Sequence, residues 1–152
     1  MTPSAIERAA QLLSAARLER RRFARLPEDC RPADLAAAYA VQDALHAKLA
    51  AAGCGAVAGH KIGCTTPVMQ KFLGIATPCA GDVLAPTVQH QSGTFQHAGF
   101  RHVGVECEIA VRLAHDLPAP GAPYAQARVG EAIGACMAAI AACLQRHDQA
   151  AR

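Results

Sequence analysis

The stretch Val105-Glu106-Cys107-Glu108-Ile109-Ala110-Val111-Arg112-Leu113 decides how this chain is read. Apolar residues alternate there with polar ones, which predicts a strand over 103–113 with a two-residue side-chain period. Val105, Cys107, Ile109, Val111 and Leu113 take one face; Glu106, Glu108, Ala110 and Arg112 take the other. Side chains two apart lie roughly 6.5–7 Å apart along a strand, so two flexible glutamates can converge on a common cation. Paired carboxylates repel unless a positive charge intervenes. A hard ion such as Mg²⁺ or Mn²⁺ takes carboxylate oxygens and keeps several waters. The same pattern also describes a solvent-facing strand on which Glu108 and Arg112 form a weak surface pair.

Working outward toward the N-terminus, the next stretch with chemistry in it is Gly59-His60-Lys61-Ile62-Gly63-Cys64-Thr65-Thr66-Pro67. Val57 to Gly63 reads as a strand and Pro67 to Leu73 as a short helix. Lys61 then stands between two glycines, which permit close approach of a ligand to the backbone. Thr65 and Thr66 follow at the turn into the helix, where hydroxyls and amides suit a carboxylate-bearing molecule. The alternative is a tight strand-to-helix turn with an exposed lysine. Further upstream, Gln42 falls on the apolar stripe Leu35, Ala38, Leu45 and Leu49. A buried polar side chain there needs a partner, so Gln42 either braces a loop or faces a cavity.

The remaining segments fill in an α+β organisation. Ser4 and Glu7 have the spacing of a capping box ahead of a helix over about 5–23. A second helix is expected from near Pro32, with Asp34 in its first turn, to Gly53. The chain is thus expected to be helical over 1–53 and β-rich over 54–118. A helix is predicted over 125–150, because Val129, Ile133, Met137, Ile140 and Leu144 follow a helical period. All of this is read as one domain spanning 1–152.

Composition narrows the function classes. A net charge of +3 over 152 residues is small, and only 4% of residues are aromatic, so no nucleic-acid partner is expected. The cluster Arg17, Arg20, Arg21, Arg22 and Arg25 fits a solvated helix end. Seven cysteines, with no CxxC spacing, point to reduced thiols in the cytoplasm rather than a disulfide framework. No secretion signal and no membrane span are legible. HExxH, GxSxG, Walker and dinucleotide motifs do not occur.

Taken in order, Ala38-Tyr39-Ala40-Val41-Gln42, Gly59-His60-Lys61-Ile62-Gly63, Leu73-Gly74-Ile75 with Pro78 and Gly81, and Val105-Glu106-Cys107-Glu108-Ile109-Ala110 form a pattern. That pattern resembles the 2-keto-4-pentenoate hydratase and 4-oxalocrotonate decarboxylase family, within the fumarylacetoacetate hydrolase superfamily, from about residue 5 to 146. The resemblance implies N-terminal helices followed by the first part of that superfamily's mixed β-fold. It implies that Glu106 and Glu108 bind Mg²⁺ or Mn²⁺, that Lys61 is an active-site lysine, and that His60, Thr65, Thr66 and Gln42 contact substrate. The implied reaction adds water to 2-hydroxypenta-2,4-dienoate during breakdown of aromatic compounds. The related alternatives are decarboxylation of a 2-oxo diacid, or a truncated, non-catalytic homologue serving as a partner subunit. The expected partners are a small 2-oxo or 2-hydroxy dienoate acid, and a second copy or a related subunit.

Two departures from the family stand out. Its third carboxylate ligand falls on a segment that here reads Met137-Ala138-Ala139-Ile140-Ala141, with Arg146 downstream, so Ala141 takes the glutamate's place. Family members also continue past the position of Arg152. A β-fold interrupted midway is expected to show unpaired edges and apolar faces that need a partner.

Overall fold

The computed structural model describes residues 1–100 and 103–144. It divides into two compact units, Met1–Gly93 and Thr94–Arg152.

The first unit opens with helix α1, Pro3–Leu18. Its N-cap is Thr2, whose hydroxyl accepts from the Ala5 amide at 3.2 Å, rather than the expected Ser4–Glu7 box. Pro3 accounts for the earlier start, because proline is preorganised for the first helical position and has no amide to satisfy. Glu7 instead pairs with Lys48, tying α1 to helix α2, Leu35–Leu49. Asp34 caps α2, its carboxylate accepting from the Ala37 amide at 2.7 Å. Ala9 and Ala10 are completely buried, and such small side chains let helices approach closely. Ala9, Cys30 and Val41 form the core there, packed by Ile6, Leu12, Leu13 and Leu26.

A turn with Gly53 in a left-handed conformation ends this helical part. The chain then enters strand β1, Val57–Gly63, passes through helix α3, Pro67–Leu73, and returns as strand β2, Cys79–Leu84. The two strands pair antiparallel, with His60 opposite Asp82, Lys61 opposite Gly81 and Gly63 opposite Cys79. The strand and the short helix expected at 57–63 and 67–73 are both present.

The second unit is a long antiparallel pair. Strand β3, Val103–Leu113, runs against strand β4, Ile133–Leu144, in a ladder from Val103 opposite Leu144 to Leu113 opposite Ile133. Helix α4, Gln126–Ala132, leads directly into β4. This corrects the helix expected over 125–150: only 126–132 is helical, 133–144 is a strand, and 145–150 lie outside the described residues. In the strand Met137 and Ile140 fall on opposite faces, opposite Ala110 and Cys107, so their helical spacing is a poor guide here, and the ladder with β3 pairs the backbone groups along one edge of the segment. Alanine's helix preference amounts to only some tenths of a kcal/mol per residue, and tertiary pairing overrides it.

Candidate functional site

Each unit carries part of the chemistry expected from sequence. In the first, Lys61 lies on the half-buried face of β1 together with Gly59 and Gly63. Its cross-strand neighbour is Gly81. Three glycines therefore surround one lysine, so the backbone beside its side chain is bare. A Cβ placed on Gly59 would meet nothing within 4 Å, which leaves open space next to Lys61. A flat, uncluttered surface with an ammonium group in it suits a small planar acid.

The turn after β1 is held from two directions. Thr66 caps α3, its hydroxyl accepting from the Met69 amide at 3.3 Å. Gln70 donates from its side-chain amide to the Cys64 carbonyl at 2.9 Å, while Cys64 sits in the left-handed region at φ 57°. Thr66 is therefore a structural cap whose O–H remains a donor, and Thr65 beside it is exposed.

Gln42 resolves toward the bracing alternative. Its side-chain amide donates to the Ala80 carbonyl at 3.1 Å, and the Tyr39 hydroxyl accepts from the Ala80 amide at 3.0 Å. One turn of α2 thus grips both backbone groups of a single β2 residue, at the position next to Gly81. His60 is exposed, and its Nδ1 lies 2.8 Å from Asp82 Oδ1. The other carboxylate oxygen is 2.5 Å from Nδ1 of the nearly buried His46. That second contact is close but is not a hydrogen bond. The sequence does not single out Asp82 and His46, and it offers Tyr39 only as part of the motif 38–42, because only the β1–β2 register and the docking of α2 bring them together.

In the second unit, β3 is regular from Val103 through Arg112, so Glu106 and Glu108 project from one face. Glu106 is exposed and Glu108 half-buried. Their cross-strand partners are Ala141 and Ala139, whose methyl groups leave room in front of the carboxylates. Among the described residues, no three or more His, Cys, Asp or Glu side chains gather into a metal-binding group. Magnesium is commonly held by one or two carboxylates, with water and substrate oxygens completing its shell. The two glutamates fit that hard-oxygen donor set at its minimum. The ladder also shows what Ala141 withholds, since a carboxylate there would stand directly opposite Glu106.

No protein-family model matches the chain. A 2-keto-4-pentenoate hydratase from Paraburkholderia phymatum is 36% identical over 137 residues, covering 90% of this chain and 50% of that protein. The chain is a relative of the 2-keto-4-pentenoate hydratases. A second hydratase of that name, from Burkholderia vietnamiensis, is 34% identical over 107 residues, covering 70% of this chain and 40% of its own length. The chain therefore spans about half the length of the curated hydratases it matches. Its fold is that of part of the 4-oxalocrotonate decarboxylase from Pseudomonas putida, a structure complexed with magnesium and adipate. The TM-score is 0.83 at 22% identity, over 98% of this chain and 56% of the decarboxylase. The strand at 133–144, unlike the helix expected there, agrees with this kinship.

Proposed function

We propose that this hydratase relative acts as a metal-dependent hydro-lyase on a small 2-hydroxy dienoate, of which 2-hydroxypenta-2,4-dienoate is the type. The observation that carries the proposal is the Glu106–Glu108 pair on one face of a regular ladder, in a chain 36% identical to a hydratase. Glu106 and Glu108 would hold Mg²⁺ or Mn²⁺ through their carboxylate oxygens. When bound, the metal supplies Lewis acidity to the oxygens of a 2-oxo acid.

The remaining steps belong to the chain's own residues. Lys61 Nζ, on its glycine-lined strand, supplies positive charge for an enolate oxygen or passes a proton to the substrate. Thr65 and the O–H of Thr66 donate to the substrate carboxylate, and His60, exposed on β1 and paired with Asp82, is a further proposed substrate contact. Gln42 fixes Ala80, and through it the backbone facing Lys61. A cytoplasmic setting accords with the free cysteines, and a second copy or a related subunit is the proposed partner.

Loss of ultraviolet absorbance on adding 2-hydroxypentadienoate with Mn²⁺ is the direct test. Turnover that Glu106→Ala abolishes supports the proposal. No turnover together with no calorimetric Mn²⁺ binding sinks it, and release of CO₂ from a 2-oxo diacid would favour the decarboxylase instead. A second reading, a non-catalytic partner subunit, is favoured by Ala141 standing opposite Glu106. Metal binding without turnover would support that reading.

A further inference from the structure

Cys64 and Cys79 take no part in the chemistry above, yet they are in contact. Cys64 is the first residue beyond the β1–β2 ladder, whose last pair is Gly63 with Cys79. Its left-handed backbone, φ 57°, turns the chain back so that the two sulfurs lie 3.7 Å apart. Side chains other than glycine, Asn or Asp rarely adopt this conformation, and it persists only where the surroundings enforce it. Gln70 does so by holding the Cys64 carbonyl. The Cys79 sulfur packs against the end of β1, 3.5 Å from where a Cβ on Gly63 would stand, an ordinary contact distance. Cys79 is exposed and Cys64 half-buried.

We propose that Cys64 and Cys79 form a reversible disulfide, a peroxide-sensitive modification site in the turn that follows Lys61. The sulfurs need to close from 3.7 Å to about 2.05 Å. The exposed Cys79 thiolate attacks one oxygen of hydrogen peroxide; an S–O bond forms, the O–O bond breaks, and the departing hydroxide takes a proton to become water. Cys64 then attacks the resulting sulfenic sulfur. The S–S bond forms, the S–O bond breaks, and the second hydroxide leaves as water with the Cys64 proton. Two thiols are oxidised and one peroxide is reduced to two waters. A dithiol reductant reverses the bond by exchange.

Closing the bond turns residues 64–79 into a covalent loop that contains Thr65, Thr66 and α3. The hydrogen bond from Cys79, followed by desolvation and the charge of the neighbouring sulfur, pushes the Cys64 thiol up. The second step, attack by Cys64 on the sulfenic sulfur, therefore speeds up with rising pH. That the loop belongs to a substrate site rests on the proposed hydratase reading; the disulfide itself does not.

The test treats the whole chain with hydrogen peroxide, blocks remaining thiols by alkylation, digests with trypsin and maps the peptides by mass. Cys64 falls in the peptide 62–71 and Cys79 in 72–101, each with one cysteine. The expected result is a linked pair of these two peptides, two hydrogens lighter than their sum, as the predominant cross-link. It should disappear with dithiothreitol and be absent in Cys64→Ser, where the Cys79 sulfenic acid is trapped by a dimedone probe. Recovery of both peptides as alkylated thiols, while other cysteines react, overturns the proposal. So does predominant linkage of either cysteine to a third one. If the reduced chain has no hydratase activity but the linked peptides form, the hydratase reading fails and the disulfide stands.

Discussion

At position 141 a single side chain separates two outcomes for the proposed metal site. Ala141 faces Glu106 directly across the β3–β4 ladder, where Cβ atoms lie roughly 4.5–5.5 Å apart. Ala141→Glu should add a third carboxylate to the pair and raise Mn²⁺ affinity by about tenfold or more, on the order of 1.4 kcal/mol. Calorimetric titration of the two chains measures this, and unchanged affinity would remove Glu106 as a ligand. Gly55 makes the opposite case, a position where adding atoms must harm. Its φ of 87° and ψ of 171° lie in a region essentially restricted to glycine. A Cβ there would stand 2.4 Å from Pro86 Cδ. Gly55→Ala should cost about 2 kcal/mol or more from strain and overpacking, read as a lower urea midpoint; an unchanged midpoint would contradict the backbone described. Of the individual residues, the glutamate face was legible because strand alternation is a local rule. Gln42 was legible as a buried polar group in need of a partner. The identity of that partner, Ala80, was not, because it lies 38 residues away and depends on how α2 meets β2.

Among the elements, β1, α3 and β3 follow from the sequence because glycine, proline and alternation delimit them within a few residues. β4 does not. Its core, Gly134-Ala135-Cys136-Met137-Ala138-Ala139-Ile140-Ala141-Ala142, carries more helix-favouring than strand-favouring residues. Its extended state comes from β3, twenty or more residues away in the chain. A synthetic peptide of residues 126–144 should therefore show helical circular dichroism in aqueous trifluoroethanol, and no strand signal when dilute. Strand content in the isolated peptide would mean that β4 needs no partner.

At the level of the whole molecule, kinship and surface point the same way. The chain spans about half the length of its hydratase relatives, and it displays apolar area that folded chains ordinarily cover. Val105, Ile109 and Ile140 are 68%, 80% and 74% exposed on one face of the β3–β4 pair. Among the described residues this sheet has two strands, so its outer edges are open. No helix among those residues is long and apolar enough to cross a membrane. An open apolar edge invites copies to add strand upon strand. Glu106 and Glu108 oppose that growth. Stacked in register, every added copy would bring two more like charges within roughly 4.8 Å of the last. The carboxylates proposed to hold a cation are thus also gatekeepers against fibril growth. Glu106→Gln with Glu108→Gln should shorten the lag of thioflavin-positive aggregation at neutral pH, and an unaltered lag would show that the edge is protected some other way.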